Sequence, residues 1–122
     1  MTVYKYTPEQ VAFLRKNEIF VFGSNIEGHH MGGAAKVAHE KFGAIWGVGN
    51  GLMGKSYAIP TMYESVEEIK PFVEQFIQTA NLLPARTFLL TKVGCGIAGF
   101  SEDEIKPLFD DAPANVIKPE GW

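Results

Sequence analysis

Residues 49–56 read GNGLMGKS, a literal match to G-x-x-x-x-G-K-S, the phosphate loop of nucleotide triphosphatases. That pattern has meaning only where a strand enters the loop and a helix leaves it, because loop amides and helix N-terminus hold the phosphates together. Here the chain continues Tyr57-Ala58-Ile59-Pro60-Thr61. An aromatic and a β-branched residue followed by proline predict an extended segment rather than a helix start. Upstream there is only IWGVG, and no apolar strand ends in an aspartate for Mg²⁺, since Asp110 and Asp111 fall at a helix end. The stretch therefore reads as a glycine-rich turn, Gly47–Gly54, joining two strands; its glycine content alone does not make it a lid over a ligand.

Outward from that turn, helix and strand signals alternate. The capping pattern S/T-x-x-E/Q occurs at Thr7/Gln10, Ser65/Glu68 and Ser101/Glu104, and each predicts a helix start. The first should run to about Asn17. The second carries Ile69, Phe72, Val73, Phe76, Ile77 and Ala80 on one face at helical spacing. The third is short, with Ile105, Leu108 and Phe109 inward. Pro71 and Pro107 are expected to separate the first turn of their segments from the rest. A helix over Gly33–Phe42 has no such box, but Ala34, Ala35 and Ala38 let it lie close to a sheet. Strands are expected at Ile19–Phe22, Tyr57–Ile59, Thr87–Thr91 and Asn115–Ile117, with a further short one around Ala44–Trp46. Their weak alternation predicts strands covered on both faces. The fold class is α/β: a three-layer α/β/α sandwich around a mixed, largely parallel sheet.

At 122 residues the expectation is one domain over 1–122, and 46% hydrophobic content with 20% charged residues is that of a globular chain. A net charge of −3 gives no electrostatic footprint for nucleic acid or an anionic membrane. It leaves room for a small anion held by backbone amides. The one cysteine, Cys95, excludes an internal disulfide and fits a reducing compartment. With no signal-like or membrane-length apolar run, the expected location is the cytoplasm.

Two loops carry the candidate site. FGSNIEGHHMGGAA (Phe22–Ala35) leaves a strand and enters a helix, the position at which open α/β sheets bind ligands. Gly32, Gly33 and Ala34 leave the helix N-terminus open to a phosphate, and Asn25 offers a donor and an acceptor for a sugar or base. KVGCGIAGFS (Lys92–Ser101) does the same after the strand that ends at Thr91. Gly94, Gly96 and Gly99 allow successive N–H groups to form an anion nest, with Phe100 free to pack on a sugar or base. Two such loops on one sheet edge imply a diphosphate ligand.

Read in order, GSNIEGHHMGGAAKVAHEKFGA (Gly23–Ala44), SYAIPT (Ser56–Thr61) and LLTKVGCGIAGFS (Leu89–Ser101) resemble the macrodomain, the ADP-ribose-binding module. The resemblance covers roughly residues 19–117. It is closest to the subtype that removes ADP-ribose from acidic side chains or DNA, and the pattern is also similar to that of small bacterial and phage proteins. It implies that Gly94, Cys95, Gly96, Ile97, Ala98, Gly99 and Phe100 bind a diphosphate. Asn25, Gly32, Gly33 and Ala34 would then face the distal ribose, with Gly23 and Ser24 also among the ligand-binding positions. The hydrolytic subtype's lysine falls at Thr61 or Met62 and its aspartate at Ala98, so that hydrolysis is not expected. Lys55 stands before the strand rather than after it. No early aspartate matches the family's adenine contact.

Other chemistry is open to His30 as a general base and to Cys95 as a nucleophile with a lowered pKa near a helix N-terminus. Against these stand a solvent-facing loop histidine and a buried small hydrophobe. His29 and His30 are adjacent, a poor spacing for one metal, and neither a metal nor a cofactor is expected. Glu27 and Glu40 read as exposed carboxylates, His39 as a surface or packing residue, and Trp122 as docked or free. The leading expectation is binding of ADP-ribose or a related nucleotide diphosphate. The alternatives are a nucleotide-processing hydrolase or transferase using His30 or Cys95, and an interaction protein that keeps the fold without the ligand.

Overall fold

A computed structural model describes residues 4–122. Its core is a five-stranded sheet in the order β2-β3-β1-β4-β5. The strands are β1 Glu18–Ser24, β2 Gly51–Met53, β3 Ser56–Pro60, β4 Thr87–Leu90 and β5 Val116–Ile117. β1 pairs in parallel with β3 and β4, and β4 with β5; only β2 runs antiparallel, against β3. The sheet is mixed and mainly parallel, as expected.

Helices cover both faces. In β1, Ile19 and Val21 join a cluster with Ile69, Val73, Phe76 and Ala80 of α2 (Val66–Leu82). Ile105 of α3 (Glu102–Ile105) and Phe109 of the 3₁₀ segment Lys106–Phe109 belong to the same cluster. Phe20 and Phe22 point the other way, onto Ala35 and Ala38 of α1 (Gly33–Lys41). The period of two in a strand sends alternate residues to opposite layers, and both sets are buried here. Alanines on the facing helix let it sit close to the two phenylalanines.

Several boundaries differ from the sequence reading, each for a local reason. No helix follows Thr7: its hydroxyl donates to the Ile117 carbonyl and its N–H to that of Lys118, 2.9 Å each. The segment therefore lies along the β5 edge, where unpaired strand groups need partners. The Ala44–Trp46 strand is absent. Those residues form a turn in which the Ala44 carbonyl is bonded by His39 Nδ1 at 2.8 Å and the Ile45 amide meets Met53 Sδ. Part of the presumed turn is strand instead, since β2 occupies Gly51–Met53. Pro71 sits inside a continuous α2, whereas Pro107 opens the 3₁₀ segment and ends α3. Trp122 docks, its Nε1 donating to Glu102 at 2.8 Å and its ring lying 5.9 Å from Phe109. Among the described residues no helix is long and apolar enough to cross a membrane.

The triphosphatase pattern is fully used for structure. Lys55 Nζ donates to the carbonyls of Leu14 and Arg15, Ser56 Oγ donates to that of Met53, and Ser56 begins β3 rather than a helix.

Candidate functional site

The connections from the adjacent strands β1 and β4 diverge to opposite faces, β1 into α1 and β4 into α3. Such a switch point opens a crevice beyond the carboxyl ends of the strands. A cavity of about 660 Å³ lies there, lined by Gly23, Ser24, Asn25, Gly32, Gly33 and Ala34 of the first loop. Gly94, Gly96, Ile97 and Ala98 of the second loop form its other wall. The two loops meet directly: a Cβ at Gly23 would stand 3.3 Å from the Gly94 nitrogen and 3.0 Å from Thr61 Oγ1. The volume falls within the roughly 300–1,000 Å³ typical of small-molecule sites.

The cavity is rich in main-chain donors. The N–H groups of Cys95, Gly99 and Phe100 are used inside the second loop, on the carbonyls of Lys92, Gly96 and Gly94. Those of Gly96, Ile97 and Ala98 have no partner among the described residues. Gly94 and Gly99 take φ of +78° and +83°, which turns the loop back on itself. On the opposite wall α1 follows its N-cap Gly32 with no side-chain cap and no acidic residue in its first turn. Both α2 and α3 have a capping box and acidic first turns. Uncapped helix N–H groups and a glycine nest both favour an anion.

Some sequence candidates stand elsewhere. His30 is only 2% exposed and outside the cavity wall, with Nε2 2.9 Å from the Ile45 carbonyl and its ring edge-on to Phe22. Its Nδ1 is buried without a partner. The exposed member of the pair is His29, which lines the cavity. Cys95 turns toward the core cluster beside α2 and α3, its Sγ 3.6 Å from the Val93 carbonyl. Burial first, and then the Glu102 carboxylate, push its thiol pKa up rather than down. Gly99 and Phe100 do not line the cavity, and Phe100 packs against the same core cluster. Ser24 does line it, but its hydroxyl donates to the Gly49 carbonyl.

That contact also fixes the Gly47–Asn50 segment. A Cβ at Gly49 would lie 2.0 Å from the Asn25 carbonyl oxygen, and Gly47 N–H donates to the Gly28 carbonyl at 2.9 Å. The segment braces the first loop from behind and takes no part in the cavity wall. Asn25 spends one donor and one acceptor on His29, through Nδ2 to its carbonyl (3.1 Å) and Oδ1 from its N–H (2.9 Å).

Further residues, some within the two loops and some outside them, complete the site. Thr61, Met62, Thr91, Lys92, Val93, Glu27 and Met31 also line it. Thr91 and Lys92 were findable, since they stand at the carboxyl end of the expected strand Thr87–Thr91 and at the start of the loop after it. A second cavity of about 490 Å³ shares both of them and is otherwise lined by Tyr6, Thr7, Pro8, Glu9, Leu90, Pro119 and Glu120. It exists because Thr7 pins the N-terminal segment to the end of β5, which no local pattern announces. Lys92 pairs with Glu102 at 3.2 Å, and that carboxylate also accepts from Trp122. The Trp122 bond and then Lys92 hold the Glu102 pKa below its ordinary value. No group of His, Cys, Asp and Glu among the described residues is arranged to hold a metal.

In comparisons with protein-family models, curated proteins and solved structures, nothing matches this chain.

Proposed function

We propose that this chain binds ADP-ribose or a related nucleotide diphosphate across the two cavities. The observation that carries the reading is the convergence of two donor-rich loops on one crevice: the uncapped start of α1 and the unpartnered amides of Gly96, Ile97 and Ala98. A net charge of −3 repels an anion at long range, so the local amides and Lys92, which lines both cavities, must supply the attraction. The second cavity gives the base a place: Tyr6 and two prolines offer flat apolar walls, and Glu9 and Glu120 offer acceptors for an exocyclic amine. The resemblance of the three motifs to the macrodomain points to the same ligand.

Binding without hydrolysis is the favoured form. Thr61, Met62 and Ala98 line the cavity where the hydrolytic subtype would have its lysine and aspartate. Neither His30 nor Cys95 reaches the wall, so the reading that uses them as base or nucleophile loses its support.

The test is a thermal-shift series with ADP-ribose, ADP, NAD⁺ and ATP. A true ligand at about 100 times its Kd stabilises the native state by about 2.7 kcal/mol, a rise of several degrees in Tm. A response to ADP-ribose supports the proposal. A response to ATP alone would return the triphosphatase reading, and none at all would favour an interaction protein.

A further inference from the structure

We propose that the His29 end of the first cavity seats a planar cation carried on the ligand's distal ribose, so that the full ligand is an oxidised pyridine dinucleotide rather than free ADP-ribose. This rests on the nucleotide reading above and extends it to the end that the reading leaves open. Among the described residues lining the first cavity, Glu27 is the one carboxylate and Lys92 the one fixed cation. Lys92 also lines the second cavity; Glu27 belongs to the first alone. A carboxylate beside a site for a diphosphate is unfavourable unless positive charge sits between them. Free ADP-ribose ends in neutral hydroxyls, and the pyridinium of NAD⁺ brings the missing charge.

One aromatic ring, that of His29, lines the cavity at that end; Trp46 stacks on it without itself lining the cavity, centroids 5.4 Å apart and planes 14° apart. Asn25 clamps both the N–H and the carbonyl of His29. Gly47 and Gly49, on either side of Val48, tie the Trp46 turn to the first loop through the Gly28 and Ser24 bonds. Trp46 is 51% exposed, and Met31, at 74%, stands on the cavity wall nearby in sequence. An exposed ring fixed by an amide clamp, a stack and a braced turn is preorganised for another ring. Pyridinium in particular gains from π-faces and from Glu27 together.

The experiment is calorimetric titration of the full chain with NAD⁺, NADH and ADP-ribose, repeated on Glu27→Gln and Trp46→Ala. NAD⁺ should bind about tenfold or more tighter than either ADP-ribose or NADH, whose dihydropyridine ring is neutral. In each variant the ratio of the ADP-ribose to the NAD⁺ dissociation constant should fall to about two or three. Glu27 is exposed, so its variant keeps the test open should Trp46→Ala fold poorly. If ADP-ribose binds as tightly as NAD⁺, or both variants leave the ratio intact, the planar-cation seat is wrong while the nucleotide reading stands. If no nucleotide binds, both fall.

Discussion

A Cβ added at Gly96 meets no atom within 4 Å, whereas one at Gly49 runs into the Asn25 carbonyl at 2.0 Å. Both glycines sit in glycine-rich loops, yet one leaves space for a ligand and the other for the protein's own backbone. Gly96→Val should therefore leave stability within about 0.5 kcal/mol of the parent. It should weaken ADP-ribose binding by about tenfold or more, since the added methyls enter the crevice. Gly49→Ala should cost about 2–3 kcal/mol in urea denaturation by forcing the brace off the first loop. If Gly96→Val binds normally, the nest is not the diphosphate seat. The same scale shows why His29, and not His30, lines the cavity. The two rings go to different sides of the loop, and which one meets the cavity depends on the Asn25 clamp and on Trp46, sixteen positions beyond His30. No local pattern in GHHM carries that information.

Helix starts separate structural from functional glycine at the scale of an element. α2 and α3 begin with capping boxes at Ser65 and Ser101, both read from the sequence, because Ser-x-x-Glu satisfies the first amides with nearby atoms. The same pattern failed at Thr7, where a carbonyl 110 residues away, that of Ile117, takes the hydroxyl. α1 is the helix without a box, and Gly32, its N-cap, has an extended backbone (φ −158°) with open space around a Cβ. Asp is tolerated there. Gly32→Asp should supply both a cap and a charge favourable to the helix end, stabilising the chain by about 0.5–1 kcal/mol. The same carboxylate would occupy the amides offered to a phosphate, so Kd for ADP-ribose should rise even as Tm rises. A variant that gains stability and keeps its affinity would place the anion elsewhere. β2 escaped the sequence reading because three residues in a glycine-rich run have little propensity of their own, and its antiparallel pairing with β3 supplies the order.

Across the whole molecule, the layering was legible because β1, β3 and β4 are short apolar runs set among helical segments, and burial on both faces follows from that pattern. The meeting of the two glycine loops was also legible, since successive parallel strands share a carboxyl edge. The second cavity was not, because it depends on the N-terminal segment crossing to β5. The α2/α3 face has a consequence for pH. Cys95 and Tyr57 both pack in its cluster, and burial raises the pKa of each, from ordinary values of 9.0 and 10.0. In the unfolded chain these groups ionise at their ordinary values, whereas the native chain still holds the protons. The native state then binds more protons than the unfolded one, and stability must fall as pH rises through that window. The urea midpoint should accordingly decline from about pH 9 upward. Cys95→Ala should remove the earlier part of the decline and Tyr57→Phe the later part. A midpoint that stays level, or climbs, as the solution is made alkaline would mean that neither group is held protonated by the core.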